Sequence, residues 1–196
     1  MPRFARAAAI GLCGVVLASL MACRSEDTPS FKGTDISGTH LGRELALSEP
    51  SGQPVTLASY AGKVSVYFFG FTQCPDVCPT AMAQLAEVMQ RLGKDADQVQ
   101  VVMISVDPAR DTPQVLDAYV RAFDPRFVAL RGTPEQTQAA ASTFKAYFAR
   151  SPLKDGGYSM DHTAAFYILD RQGEARVLAS GTVGTDALVH DIRALL

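Results

Sequence analysis

VSVYFFGFTQCPDVCPT, residues 64–80, joins a run of strand-forming side chains to two cysteines, Cys74 and Cys78, each followed by a proline. Val64, Val66, Tyr67, Phe68, Phe69 and Phe71 leave neither face polar, as expected of a strand covered by helices on both sides of its sheet. Beyond the second cysteine, Ala81, Met82, Leu85, Val88, Met89 and Leu92 recur at helical spacing, with Pro79 in the first turn and Gly93 at the end. A strand therefore delivers two thiols to the mouth of a helix. The partial positive charge there favours a thiolate, so the sequence predicts cysteines that ionise more easily than free ones. A thiolate is both a nucleophile and a ligand for soft metals, which leaves redox chemistry and metal binding open.

Downstream of this stretch, residues 99–106 (VQVVMISV) read as a second buried strand, so strand, helix and strand predict a parallel pair with a right-handed crossover. Thr112 followed by Pro113 caps a helix running to Phe123, and residues 127–130 form a short strand. Thr133-Pro134-Glu135-Gln136 matches a capping box opening a helix through Phe148. Residues 151–159 read as a loop, 163–169 and 175–179 as a hairpin, and 185–196 as a closing helix. Upstream, residues 44–47 and 55–57 flank the turn formers SEPSGQP and predict an N-terminal β-hairpin. The sum is an α/β domain with a mixed central sheet, helices on both faces and an added hairpin. Thiols after its first long strand give it the look of a thioredoxin-like fold, at a strand end where such sheets bind ligands.

The 196 residues are 47% apolar and carry a net charge of −2, enough for one domain and without the basic footprint that nucleic-acid binding needs. Arg3 and Arg6 precede an apolar run over residues 7–22, about 16 residues long, short for a membrane span and typical of a signal-peptide core. Leu20-Met21-Ala22-Cys23 resembles the lipobox of bacterial lipoproteins, in which cleavage precedes the cysteine and lipid is attached to it. The expected organisation is a signal peptide at 1–22, a lipid-anchored flexible tether at 23–40 and a folded domain at 41–196. Cleavage discards Cys13, lipid occupies Cys23, and Cys74 and Cys78 remain as a free pair able to close as a disulfide in an oxidising, extracytoplasmic compartment.

A third ligand would separate metal binding from redox chemistry. Of three histidines, His40 falls in the tether and His190 on the last helix, whereas His162 lies just before the strand at 163–169. In thioredoxin-like sheets the loop entering that strand lies against the cysteines, which makes His162 the histidine best placed to face them. Two thiolates and one imidazole form a soft set of low coordination number, suited to Cu(I) or Cu(II), whereas closed structural zinc sites take four ligands. Met160 reads as loop packing.

Four ordered pieces, YFFGFT before CPDVCP (67–79), SVDPARDTP (105–113), GTPE (132–135) and DHTA (161–164), together resemble the Sco/SenC family of copper-binding cytochrome c oxidase assembly factors. The resemblance extends from about Arg43 to the C-terminus. It implies a metallochaperone that binds one copper through Cys74, Cys78 and His162, takes it from an upstream periplasmic donor and delivers it to the binuclear copper site of an oxidase subunit, or reduces the thiols of that site. It also places Asp107 and Asp111 near the metal, where capping of a strand end and a helix start is the competing account. The alternative is a thiol-disulfide oxidoreductase or peroxidase without metal. Against it, three residues rather than two separate the cysteines, and the P-x-x-x-T-x-x-C pattern of peroxiredoxins is absent. A lipoprotein with a purely structural disulfide is the third reading.

Overall fold

The computed structural model describes residues 30–154 and 156–196. At its centre β4 (Val64–Gly70) and β5 (Val99–Ser105) are buried at every position and run parallel, in register from Val64 opposite Val99 to Gly70 opposite Ser105. β6 (Val128–Leu130) extends the sheet in parallel beyond β5. On the other flank β9 (Ala165–Leu169) runs antiparallel to β4, and β10 (Ala175–Ser180) pairs with β9. With β1 (Thr34–Asp35) at the edge, the six-stranded order is β1-β10-β9-β4-β5-β6.

Alternation along β4 assigns its two faces. Tyr67 and Phe69 meet the ring of Phe144, just past α3 (Pro134–Thr143), while Gly70 and Phe68 lie toward Cys78 of α1 (Val77–Leu92). Helices thus cover both faces, as the doubly apolar strand requires. Tyr67, Phe68 and Phe69 are fully buried, and a large side chain so placed contributes roughly 1.5–3 kcal/mol relative to an exposed one. α4 (Thr185–Arg193) packs on α1. Thr112 caps α2 (Pro113–Arg121) by accepting from Val115 N at 3.3 Å, and the capping box at Thr133 and Gln136 opens α3, both as expected. The N-terminal hairpin is present but short, as β2 (Leu47–Ser48) and β3 (Pro54–Val55).

Two expectations are corrected. The helix predicted to reach Phe148 ends at Thr143, because Lys145 adopts a left-handed conformation (φ 54°) and Ala146 N–H closes back on Ala141 O at 2.9 Å. Beyond it the chain forms a second hairpin, β7 (Phe148–Pro152) with β8 (Tyr158–His162), in place of the predicted loop. In addition, β1 falls inside the stretch read as tether, so the ordered domain reaches back to at least Thr34. The predicted signal peptide, with Cys13 and Cys23, lies outside the described residues. Among the described residues, no helix is long and apolar enough to cross a membrane.

Candidate metal centre

β4 ends at Gly70, and the chain then turns through Phe71 and Cys74 before Cys78 takes the second position of α1. β8 brings His162 to the same place from 84 residues away, with Nε2 3.4 Å from Cys78 Sγ. Cys78 N–H points at Cys74 Sγ from 3.3 Å, and the two sulfurs and the imidazole nitrogen all lie within 4.8 Å of one another. The structure thus brings together the three predicted ligands.

The imidazole is positioned by one hydrogen bond and two aromatic rings. Its Nδ1 lies 3.2 Å from the Thr163 carbonyl, which can only accept, so Nδ1 carries the hydrogen and Nε2 turns its lone pair toward the sulfurs. Phe68 and Phe71 meet the ring edge-on, with centroids at 5.8 and 5.9 Å. Beneath Cys78, a Cβ on Gly70 would stand 3.1 Å from Sγ and 2.8 Å from the Phe68 ring, so the thiol occupies space that only glycine leaves. Sequence reasoning passed over Gly70, whose role depends on what packs against it.

The electrostatics overturn one expectation. Burial pushes the Cys78 thiol well above its ordinary value, although it sits at a helix N-terminus. A helix end supplies roughly 0.3–1 kcal/mol, whereas full burial moves a titration by up to about 3–5 units at about 1.4 kcal/mol each, so desolvation wins. Burial likewise lowers His162, against the opposing pull of its bond to Thr163. Without metal the centre is therefore a neutral thiol facing a neutral imidazole. With all three donor atoms within 4.8 Å of one another, Cys74, Cys78 and His162 are close enough to hold one soft ion between them.

A model of the SCO1/SenC family matches residues 33–196. The chain belongs to the SCO1/SenC family. A SCO2-like protein of Rickettsia felis is 32% identical over 159 residues, covering 79% of this chain and 78% of the relative. The solution structure of apo Sco1 from Thermus thermophilus is 39% identical, with a TM-score of 0.76 over 87% of this chain and 99% of the other. Bradyrhizobium japonicum ScoI, solved with copper bound, is 36% identical, with a TM-score of 0.71 over 85% and 100%. The fold is accordingly the thioredoxin-like fold of Sco proteins.

In this Sco/SenC chain neither Asp107 nor Asp111 belongs to the three-donor cluster. Asp111 is fully buried and accepts from Thr72 N–H at 3.2 Å, Thr72 Oγ1 at 2.6 Å and Ser105 Oγ at 2.6 Å, tying the cysteine loop to the end of β5. Asp107 pairs with Arg110 and accepts from the Tyr158 hydroxyl at 3.0 Å. Arg110 in turn donates to Tyr158 O at 2.8 Å, and its guanidinium lies 3.8 Å from the centre of the Tyr158 ring. These groups fasten the loop after β5 to the strand that carries His162. Arg110 and Tyr158 were not singled out from the sequence, since an exposed-looking arginine and a loop tyrosine give no signal until β8 is seen. Met160 is buried on β8 as packing, His40 lies against Glu174 at 3.0 Å and His190 against Asp191 at 2.9 Å.

Proposed function

We propose that this protein carries copper as cargo, holding one ion between Cys74 Sγ, Cys78 Sγ and His162 Nε2 and passing it to the binuclear copper site of a cytochrome c oxidase subunit. The observation that carries this reading is the convergence of those three atoms within 4.8 Å, from a helix start and a distant strand end. Two soft sulfurs and one nitrogen suit Cu(I) and tolerate Cu(II). Membership of a family that includes ScoI with copper bound supports the same ion. Cys78 is fully buried, whereas Cys74 and His162 are partly exposed, which leaves two ligands accessible to a donor on loading and to the client on release.

The closeness of the sulfurs supports a second use of the pair. Cys74 and Cys78 can close as a disulfide, passing two electrons and two protons to a client disulfide that becomes two thiols. Lipidation of Cys23 behind a cleaved signal peptide would hold the domain at a membrane surface, facing the extracytoplasmic space where a copper donor and the oxidase subunit meet it. The LMAC sequence and the apolar run before it support that placement.

The reduced full chain tests the reading. One copper per chain, held much more weakly by His162→Ala in competition with a Cu(I) chelator, is the expected result. Equal affinity in both would remove His162 from the ligand set.

A further inference from the structure

Apart from the three-donor centre, the molecule has a cavity of about 690 Å3 outside the C-terminal ends of β5 and β6. Its size falls within the roughly 300–1,000 Å3 typical of small-molecule sites, and its place is where open α/β sheets take ligands. Val106, Pro134, Phe148 and Met160 contribute apolar wall, and none of Cys74, Cys78 and His162 lines it. Two polar side chains in the lining lack the partners they need. Thr137 is 1% exposed, and its buried hydroxyl has no hydrogen-bond partner among the described residues. Arg131 donates from Nη2 to Pro108 O at 3.1 Å, but its buried Nε–H finds no acceptor there. Nor does Arg131 form an ion pair among the described residues.

Both unmet groups can donate, and one is cationic. A buried donor without an acceptor is costly, so native structures leave few of them. The remaining charges in the lining narrow the ligand further. Asp107 is taken by Arg110, and Arg150 lies over the Tyr158 ring, whereas Glu49 contributes a carboxylate that would repel a second negative charge. We propose that this cavity binds a monoanionic carboxylate on an apolar body, its oxygens accepting from Arg131 Nε–H and the Thr137 hydroxyl. The same chemistry is offered by a free medium-chain acid and by the C-terminus of an apolar peptide.

Titration of the copper-free full chain tests this, read by calorimetry and amide chemical shifts. Octanoate is set against 1-octanol, and N-acetyl-leucyl-leucine against its C-terminal amide. Each carboxylate is expected to bind about tenfold or more tightly than its neutral counterpart, and the tighter of the two carboxylates identifies the source. Arg131→Gln is expected to weaken octanoate about tenfold and Thr137→Val several-fold. Thr137→Val keeps the side chain's shape and removes no hydrogen bond seen in the fold, so it remains informative even if Arg131→Gln disturbs the Pro108 loop. Carboxylates that bind no better than their neutral counterparts, or octanoate binding unchanged in Thr137→Val, would overturn the proposal.

Discussion

The two sulfurs of this centre belong to differently built regions. Cys78 stands on a floor made by Gly70, Phe68 and His162, fully buried and fixed by β4, α1 and β8 together. Cys74 lies in the connecting loop, partly exposed and packed on the core from one side, three residues before Val77, which is 45% exposed. The floor sets ligand geometry through packing that tolerates little change, and the rim is less enclosed. The proposed carrier role needs both properties, since an ion enclosed on all sides could not be handed on, and one held only by a loop would not be held.

Substitutions in the two regions should separate on this basis. The largest effect is expected from His162→Ala. Loss of a group behind a metal ligand typically costs about 10–100-fold in affinity, so loss of the ligand itself should cost about a hundredfold or more in a chelator competition. Next comes Gly70→Ala, whose methyl would meet Cys78 Sγ at 3.1 Å and the Phe68 ring at 2.8 Å. Overpacking of this kind costs about 1–3 kcal/mol, read as a lower thermal midpoint of the copper-free protein together with weaker copper binding.

Asp111→Asn tests what joins the regions. Three donors converge on its two oxygens, and an amide keeps one acceptor and turns an NH2 group toward a neighbour that needs an oxygen. A loss of about 1–3 kcal/mol in chemical denaturation is expected, with faster amide exchange around Thr72. Tyr158→Phe removes one hydroxyl bond to Asp107 and should cost about 0.5–1.5 kcal/mol. Val77→Ala, on the rim, should stay within about 0.5 kcal/mol in stability. The division between floor and rim fails if Val77→Ala destabilises as much as Gly70→Ala.

Most of this architecture was legible where local pattern and tertiary role agree. The apolar run of β4, the helical spacing of α1 and the caps at Thr112 and Thr133 each state their structure in adjacent residues. The β7–β8 hairpin was not legible, because the chain leaves α3 through a left-handed Lys145 where glycine usually gives the signal. β1 was hidden for another reason: both of its residues are exposed, and only backbone pairing with β10 defines it. At the centre, the residue types at 74, 78 and 162 pointed to the chemistry. Gly70 and Arg110 stood inside the family-like motifs without a role of their own and Tyr158 gave no signal, since their roles are fixed by neighbours distant in the chain. The predicted ease of ionisation at Cys78 failed because a helix terminus is visible in sequence and depth of burial is not.

X-ray absorption at the copper edge of the reduced, copper-loaded full chain, beside its His162→Ala variant, is the sharpest test of the three-donor centre. Two sulfurs and one imidazole nitrogen are expected around the metal, with the nitrogen scattering lost in the variant. An unchanged spectrum in His162→Ala, or a coordination sphere with only one sulfur, would contradict it.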